Sequence, residues 1–433
     1  MRVALVNPPW SFAGSIYFGC REPHLPLELG YCRALLERDS HDVLLRDGHL
    51  DGLDMAALAE EVAAFAPDMT VVTTAPTYLF WRCAPPELRI PQEFMTALAG
   101  RGGRVVAVGP HGSATPGATL RKLGADIVVR GECEEVVAAL ANAAEPASVP
   151  GTATLRHGEA VLIGASQAAG FTDLPALRWP DRWITRHAHH HHRFDCPPTG
   201  PGAEVEASRG CPYNCSFCAK IDYRDAYRRR ALPTLMDEID GLIVQGVRYL
   251  YFIDEIFLPW RELLHALVGR GIQFGIQTRI DLWKPEMIAL LGQAGCVSIE
   301  AGVESLTVEG RAALDKNCRM TTDELADRLI LAHAHVPFVQ ANLIASGDDL
   351  DLVATWRKRL NDAGVWANDP VPLYPYPSSP DYRRLFGLPD DAAWERAHAH
   401  YLAEVSRFSD IQDDAPLPLV ELEGAYLEKV DRV

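Results

Sequence analysis

Three cysteines, Cys211, Cys215 and Cys218, stand in a C-x₃-C-x₂-C array that constrains this chain more than any other feature. Thiols so close in sequence must converge on one loop, which has to wrap whatever they hold. Three thiolates can ligate three irons of a cubic [4Fe–4S] cluster and leave the fourth iron with an open position. A pure electron carrier would normally close that position with a fourth cysteine, whereas an open iron can hold a small molecule by its amine and carboxylate. A zinc knuckle and three unrelated thiols are the alternatives. Zinc would want a fourth Cys or His at short spacing, and Cys196 and the histidines at 189–192 are the nearest.

Length and composition narrow the setting. A chain of 433 residues is too long for one ordinary domain and implies about two or three. Apolar content of 48% and charged content of 23% are those of a globular protein. Ten cysteines, three of them clustered, read as reduced thiols around a metal centre rather than a disulfide framework. Residues 1–10 read as a strand and turn, not a signal peptide, and no uncharged apolar run reaches the roughly 18 residues of a membrane span. The expectation is a cytoplasmic, oxygen-sensitive protein. A net charge of −17 argues against a nucleic-acid partner, whose phosphates must be neutralised. The run Arg228-Arg229-Arg230 reads as a solvated helix face, and no internal repeat is present.

Over the first 145 residues, apolar runs alternate with amphipathic ones. Strands are expected at 3–6, 42–45, 69–73, 104–108 and 127–129, with helices at 28–37, 55–65, 91–99 and 118–123. This is the pattern of a parallel, doubly wound α/β sheet. Ligands of such sheets sit at the carboxyl ends of the strands. The turns there are Asn7-Pro8-Pro9, Thr74-Ala75-Pro76-Thr77, Gly109-Pro110-His111-Gly112 and Gly131-Glu132. They are small, polar or rigid, which lets backbone approach a large flat ligand. No G-x-G-x-x-G fingerprint is present, so a dinucleotide is disfavoured.

Residues 146–200 are enriched in Ala, Pro and Gly and read as a linker, with a hairpin at 152–155 and 160–163. The histidines at 187 and 189–192 read as an exposed loop, with metal binding and a lid as alternatives. From residue 204 a second β-α alternation begins, with strands expected at 204–207, 249–253, 273–277, 297–300, 339–344 and 371–374. Six such units fit a partial (β/α)₆ barrel over 201–385, with its chemistry at the strand carboxyl ends. Period-two alternation puts Glu300, Gly302 and Glu304 on one side of their strand. A carboxylate facing the interior without a polar ligand would be costly. Residues 386–433 read as an acidic helical cap over one barrel mouth.

With Phe217 just before the last cysteine, the cysteine loop resembles that of the radical S-adenosylmethionine (radical SAM) enzymes. The first domain resembles the cobalamin-binding domain found in front of many of them. That likeness rests on Asn7-Pro8-Pro9, on residues 26–31, on Val108-Gly109-Pro110-His111 and on residues 129–134. The resemblance implies a cluster on Cys211, Cys215 and Cys218, and SAM held by Phe217, Asp254, Glu255, Arg279, Glu300 and Glu304. Among these, Asp254 and Glu255 fall at the amine-binding position, and Arg279 would pair with the SAM carboxylate. It further implies cobalamin held by Asn7, Pro8, Thr74, Thr77, Gly109, Pro110, His111, Gly131 and Glu132. Asp47-Gly48-His49-Leu50-Asp51-Gly52 spells D-x-H-x-x-G, the signature whose histidine ligates cobalt, but it follows the second strand instead of the first. Cobalamin is therefore expected with no histidine of this chain on cobalt. The aromatic segment 77–81 would cover the corrin or pack on the second domain.

Two departures stand out. Leu343-Ile344-Ala345-Ser346-Gly347-Asp348-Asp349 lacks the proline many relatives carry after the fifth strand, and Ser378 replaces a glycine after the sixth. Implied activity is C-methylation of an unactivated carbon in a small molecule through a 5′-deoxyadenosyl radical and methylcobalamin, with a flavodoxin or ferredoxin as electron donor. A methyl-free rearrangement, ring contraction or oxidative cyclisation shares all these motifs. A non-catalytic cobalamin and cluster sensor, and an RNA-modifying methylthiotransferase relative, are the remaining alternatives. The last should show a second cysteine triplet, yet Cys20, Cys32, Cys83 and Cys133 are scattered and read as core thiols.

Overall fold

A computed structural model describes residues 1–10, 23–76, 88–187, 200–224, 226–373 and 375–405. Thr77, the rest of the aromatic segment 77–81, and the histidines at 189–192 lie outside them.

Strands β1 (Arg2–Asn7), β2 (Asp42–Asp47), β3 (Met69–Thr73), β4 (Arg104–Val108) and β5 (Ile127–Val129) pair in parallel, in the order 2-1-3-4-5. Between them run α1 (Leu27–Arg38), α2 (Gly48–Asp51), α3 (Met55–Phe65), α4 (Arg89–Leu98), α5 (Pro110–Ala114) and α6 (Pro116–Leu123); α7 (Glu134–Asn142) follows β5. Every residue of β3 and β5 is buried. Strands covered on both faces are largely apolar, and each buried Val, Ile or Met side chain there contributes about 1.5–3 kcal/mol. The order reverses direction beside β1, the crevice where doubly wound sheets take ligands.

The stretch expected as a linker is only partly one. Strands β6 (Thr152–Arg156) and β7 (Glu159–Ile163) form the expected hairpin, but β6 also pairs antiparallel with β5 and extends the first sheet. His157 and Gly158 both take positive φ, 50° and 83°, as a two-residue hairpin turn with right-handed strand twist requires. Beyond it, α8 (Asp181–Arg186) returns to the first domain. Trp179 and Trp183 stack at 5.7 Å, and a Cβ at Gly30 of α1 would come within 2.5 Å of Trp179. Gly30 is thus the residue that lets the connector lie flat on α1.

The second unit is a parallel sheet of β8 (Gly202–Val205), then, past the short antiparallel pair β9 (Ser208–Arg209) and β10 (Arg228–Arg229), α9 (Leu232–Val244) and β11 (Tyr249–Phe252). It continues through α10 (Arg261–Leu267), β12 (Gln273–Thr278), α11 (Pro285–Gln293), β13 (Cys296–Glu304), α12 (Val308–Ala313), α13 (Thr322–His333), β14 (Phe338–Ala345) and α14 (Leu350–Asp362). The expected sixth strand is two fragments, β15 (Trp366–Ala367) and β16 (Val371–Pro372), each paired in parallel with β14. Register partners share a face. Val205, Phe252, Ile276, Ile299 and Val339 are all apolar and join the core beneath the helices. The opposite row, Glu204, Tyr251, Gly275 and Ser298, is polar or small, and Gln277, Glu300 and Gln340 form the row above it. A polar interior between parallel strands is the space a barrel keeps for a ligand.

Three expectations need correction. His187, read as part of an exposed loop, is buried at the end of α8. Arg228 and Arg229 form strand β10 against β9, not a helix, and Arg230 is buried. Helix α16 (Asp391–Val405), reached through α15 (Pro380–Phe386), packs on the first domain rather than capping the barrel. Its Trp394 is buried in that domain's core, 5.7 Å from the His111 ring, and Glu395 pairs with Lys122 at 2.6 Å. Burying one aromatic ring on a nearby apolar surface outweighs the helix's acidic composition.

Candidate active site

The cysteine loop leaves β9 through Gly210, whose φ of 77° turns the chain back over the strand ends. Gly210 donates its N–H to Glu255 Oε2 at 2.8 Å. Inside the loop, Ser216 is buried and clamped three ways. Its N–H donates to the Leu314 carbonyl at 3.0 Å, its hydroxyl to Asp381 at 3.1 Å, and its carbonyl accepts from the Asp381 N–H at 3.0 Å. Cys211, Cys215, Phe217 and Cys218 are each half-buried. Burial pushes the Cys211 and Cys215 thiols up, while Lys220 acts on the first and Lys316 on the second in the opposite sense. Thiols bind metal as thiolates, so nearby cations and a pinned loop fit an anionic iron–sulfur centre.

The strand-end residues divide into braces and open groups. Asp254 is buried; it accepts from the Ala207 N–H at 2.8 Å and from the Ser208 hydroxyl at 2.5 Å, and burial raises its pKa well above the usual range. It ties β11 to the root of the cysteine loop. Glu255 reaches the loop itself, with its side chain 10% exposed and Arg224 3.3 Å away. Arg279 departs from expectation. Its guanidinium pairs with Asp281 at 2.8 Å, donates to the Lys316 carbonyl at 2.6 Å and lies 4.0 Å over the Tyr213 ring. A partner two residues away is cheaper to hold than a distant one.

Glu300 is buried in the polar interior, 3.5 Å from the Tyr251 hydroxyl. Glu304 does not continue its alternation. The register slips between Gly302 and Glu304, Glu304 takes a φ of 60°, and its carboxylate pairs with Lys316. Asp348, from the segment lacking the proline, accepts from Ser305 and Thr307 at 2.6 Å each and joins the ends of β13 and β14. Ser378 takes a φ of 79°, the left-handed conformation a glycine would adopt more easily.

In the first domain, Asn7 is a bracket across three strands. It donates to Asp47 at 2.6 Å and accepts from Thr73 at 2.8 Å and from Trp10 at 2.9 Å. Pro8 is buried beside it. Thr74 and His111 meet at 3.1 Å, joining the loops after β3 and β4, and Gly109 (φ 129°) and Pro110 open α5 there. Gly131 and Glu132 turn inward instead. A Cβ at Gly131 would strike the Gln167 carbonyl, and Glu132 accepts from the Ala169 N–H at 2.7 Å and pairs with Arg228. Their constraint is internal packing, not ligand approach. His49 lies in α2, the single turn capped by Asp47 and held from outside by Arg182, Trp183 and Arg186 of α8.

A cavity joins these regions. It is lined by Pro110, His111 and Thr115 from the first domain and by Ala219, Tyr223 and Ser378 from the second. Residues 205–346 match the model of the radical SAM superfamily. Residues 205–346 thus form a radical SAM domain. It is 26% identical over 321 residues to the uncharacterized methyltransferase PH0819 of Pyrococcus horikoshii, covering 70% of this chain and 66% of the relative. Against the anaerobic magnesium-protoporphyrin IX monomethyl ester cyclase of Cereibacter sphaeroides it is 28% identical over 414 residues, covering 89% of this chain and 64% of the relative. The chain thus spans about two thirds of the length of these curated relatives. In fold it resembles the radical SAM methyltransferase TsrM of Kitasatospora setae, solved with cobalamin and a [4Fe–4S] cluster. The TM-score is 0.71 at 19% identity, over 98% of this chain and 85% of that one. The architecture is accordingly a doubly wound sheet followed by a radical SAM partial barrel.

What sequence reasoning missed is the joint between the first domain and the radical SAM domain. Arg209 pairs with Glu134 at 2.6 Å and Glu206 at 2.7 Å, Arg224 with Glu28 at 2.9 Å and Glu206 at 2.7 Å, and Arg228 with Glu132. With Glu255, five carboxylates surround three guanidiniums, so not all can be charged cheaply. Burial pushes Glu28 up to about 8 despite Arg224. Glu206 feels the same burial, but Arg209 and Arg224 outweigh it and hold it at about 2. The available signal was the density of charged residues around β8 and β9, Glu204, Glu206 and Arg209, where a strand ought to be apolar.

Proposed function

We propose that this chain is a cobalamin-dependent radical SAM enzyme that C-methylates an unactivated carbon of a small molecule. The carrying observation is the cavity that puts Pro110 and His111 of the first domain against Ala219 and Tyr223, just past the cysteine loop. Two cofactors serving one substrate carbon require that their binding loops meet. In this reading Cys211, Cys215 and Cys218 hold the [4Fe–4S] cluster, with Phe217 beside it. Glu255 takes the SAM amine, with Asp254 fixing Glu255's strand end; Glu300 takes polar SAM groups from the barrel interior, and Glu304 acts from the bulged strand end beside Lys316. Arg279 supports Tyr213 and the loop through Asp281. Asn7, Pro8, Thr74, Gly109, Pro110 and His111 would hold cobalamin, together with Thr77, which lies outside the described residues. When bound, the cofactors supply a 5′-deoxyadenosyl radical and a transferable methyl group. The chain's own work is to place them, exclude water and hold the substrate.

The methyltransferase name of the Pyrococcus relative and the TsrM-like fold support methyl transfer. The cyclase relative, aligned over 89% of this chain, favours a second reading, a methyl-free radical reaction on a comparable substrate. A flavodoxin or ferredoxin electron donor and a cytoplasmic location complete the proposal. Among the described residues no helix is long and apolar enough to cross a membrane. The test is to load the protein anaerobically with cobalamin, reduce it and add SAM. Conversion of the bound cofactor's visible spectrum to that of methylcobalamin supports methyl transfer; a cofactor that stays unmethylated through turnover of SAM favours the second reading.

A further inference from the structure

On the polar face of the barrel, three side chains from distant segments converge. Glu204 belongs to β8, His24 lies just ahead of α1, and His187 caps the end of α8. His24 Nδ1 is 2.9 Å from Glu204 Oε1, and His187 Nε2 is 4.0 Å from Glu204 Oε2. One ligand atom from each lies within 4.8 Å of the other two, and all three residues are buried. The imidazole rings meet edge-on at 5.9 Å.

We propose that His24, His187 and Glu204 bind one divalent transition-metal ion of the zinc class, a site separate from the cluster. Metal–nitrogen and metal–oxygen bonds of about 2.0–2.2 Å put neighbouring ligand atoms of a tetrahedral site roughly 3.3 Å apart. The observed spacings bracket that distance, so small side-chain rotations close the site. Two imidazoles and one carboxylate are the ligand set of open metal centres, whose remaining position takes water or a substrate oxygen. The alternative is a hydrogen-bonded His–Glu pair. What favours the ion is the convergence of two imidazoles and one carboxylate, all buried, with a ligand atom of each within 4.8 Å of the others. Glu204 is the register partner of Tyr251, whose hydroxyl reaches Glu300, so the open position would face the same interior that Glu300 lines. The ion would also tie the first domain, the connector and the barrel together. This proposal stands whether or not the reading under Proposed function holds.

The experiment is elemental analysis of the full-length protein after anaerobic incubation with zinc and desalting, in wild type, Cys215→Ala and His24→Gln/His187→Gln. The expected result is about one zinc per chain in wild type and in Cys215→Ala, and none in the histidine double variant, whose cluster iron is unchanged. Thermal melting of wild type with and without zinc guards against a misfolded variant. A rise in midpoint that saturates near one equivalent is expected. No retained zinc and no midpoint shift in wild type would overturn the proposal. So would zinc that persists in the double variant, where the histidines at 189–192 remain, or zinc that vanishes with Cys215.

Discussion

Arg209 Nη1 lies 2.6 Å from Glu134 Oε1, both side chains fully buried, at the joint between the first domain and the barrel. Removing one member of a buried ion network leaves its partners charged in a low dielectric. Arg209→Met should therefore destabilise the protein by about 3–5 kcal/mol, seen as a lower urea midpoint. Arg209→Lys should fall between, since an ammonium cannot fork to both Glu134 and Glu206. An unchanged midpoint for Arg209→Met would mean that the joint contributes nothing to stability.

Asp47 gives a pH dependence with a definite sign. Burial raises its pKa from 3.8 to about 7, against hydrogen bonds from Asn7 and Leu50. A carboxyl with a raised folded pKa contributes stability that is full below its unfolded pKa and lost as pH rises through the folded one. Asp47→Asn carries no such charge. Its melting temperature relative to wild type should therefore rise between about pH 4 and pH 7 and level off above, and a constant difference across that range would refute the assignment.

Asp381 grips the cysteine loop through both the hydroxyl and the carbonyl of Ser216. Asp381→Ala should cost the loop about 1–3 kcal/mol, read as faster loss of cluster iron to a chelator while the rest of the fold melts nearly as before. Iron release at the wild-type rate would show that the cysteines hold their geometry unaided.

Adjacent acids on β11 should behave differently. Glu255→Gln removes the negative charge of a partly exposed carboxylate and should weaken SAM binding by about ten- to a hundredfold, with cluster content intact. Asp254→Asn disturbs the buried contacts with Ala207 and Ser208 and should lower stability and cluster loading instead. Equilibrium SAM binding alongside iron analysis separates the two roles.

Much of this fold was legible because its signals are local. The strands of the first sheet are short apolar runs, and the cysteine spacing needs one loop. The misread elements depend on tertiary partners or local irregularities that periodicity does not show. Arg228 and Arg230 look solvated in a basic run, yet they find Glu132, 96 residues earlier, and Glu238, eight residues later. Glu132 followed a turn that looked ready for a ligand, and the same Arg228 turned it inward. Alternation along β13 failed at Glu304 because a bulge reverses the side-chain direction, which no periodicity announces. Helix α16 was placed over the barrel because nothing in its own sequence says that Trp394 packs beside His111.

The central claim is that one chain uses SAM both as radical source and as methyl donor. The most direct measurement is mass spectrometry of products after anaerobic reconstitution with iron, sulfide and cobalamin and addition of reductant and SAM. The account expects 5′-deoxyadenosine and S-adenosylhomocysteine together, with 5′-deoxyadenosine lost in Cys215→Ala. Deoxyadenosine alone, with cobalamin bound and never methylated, would contradict it.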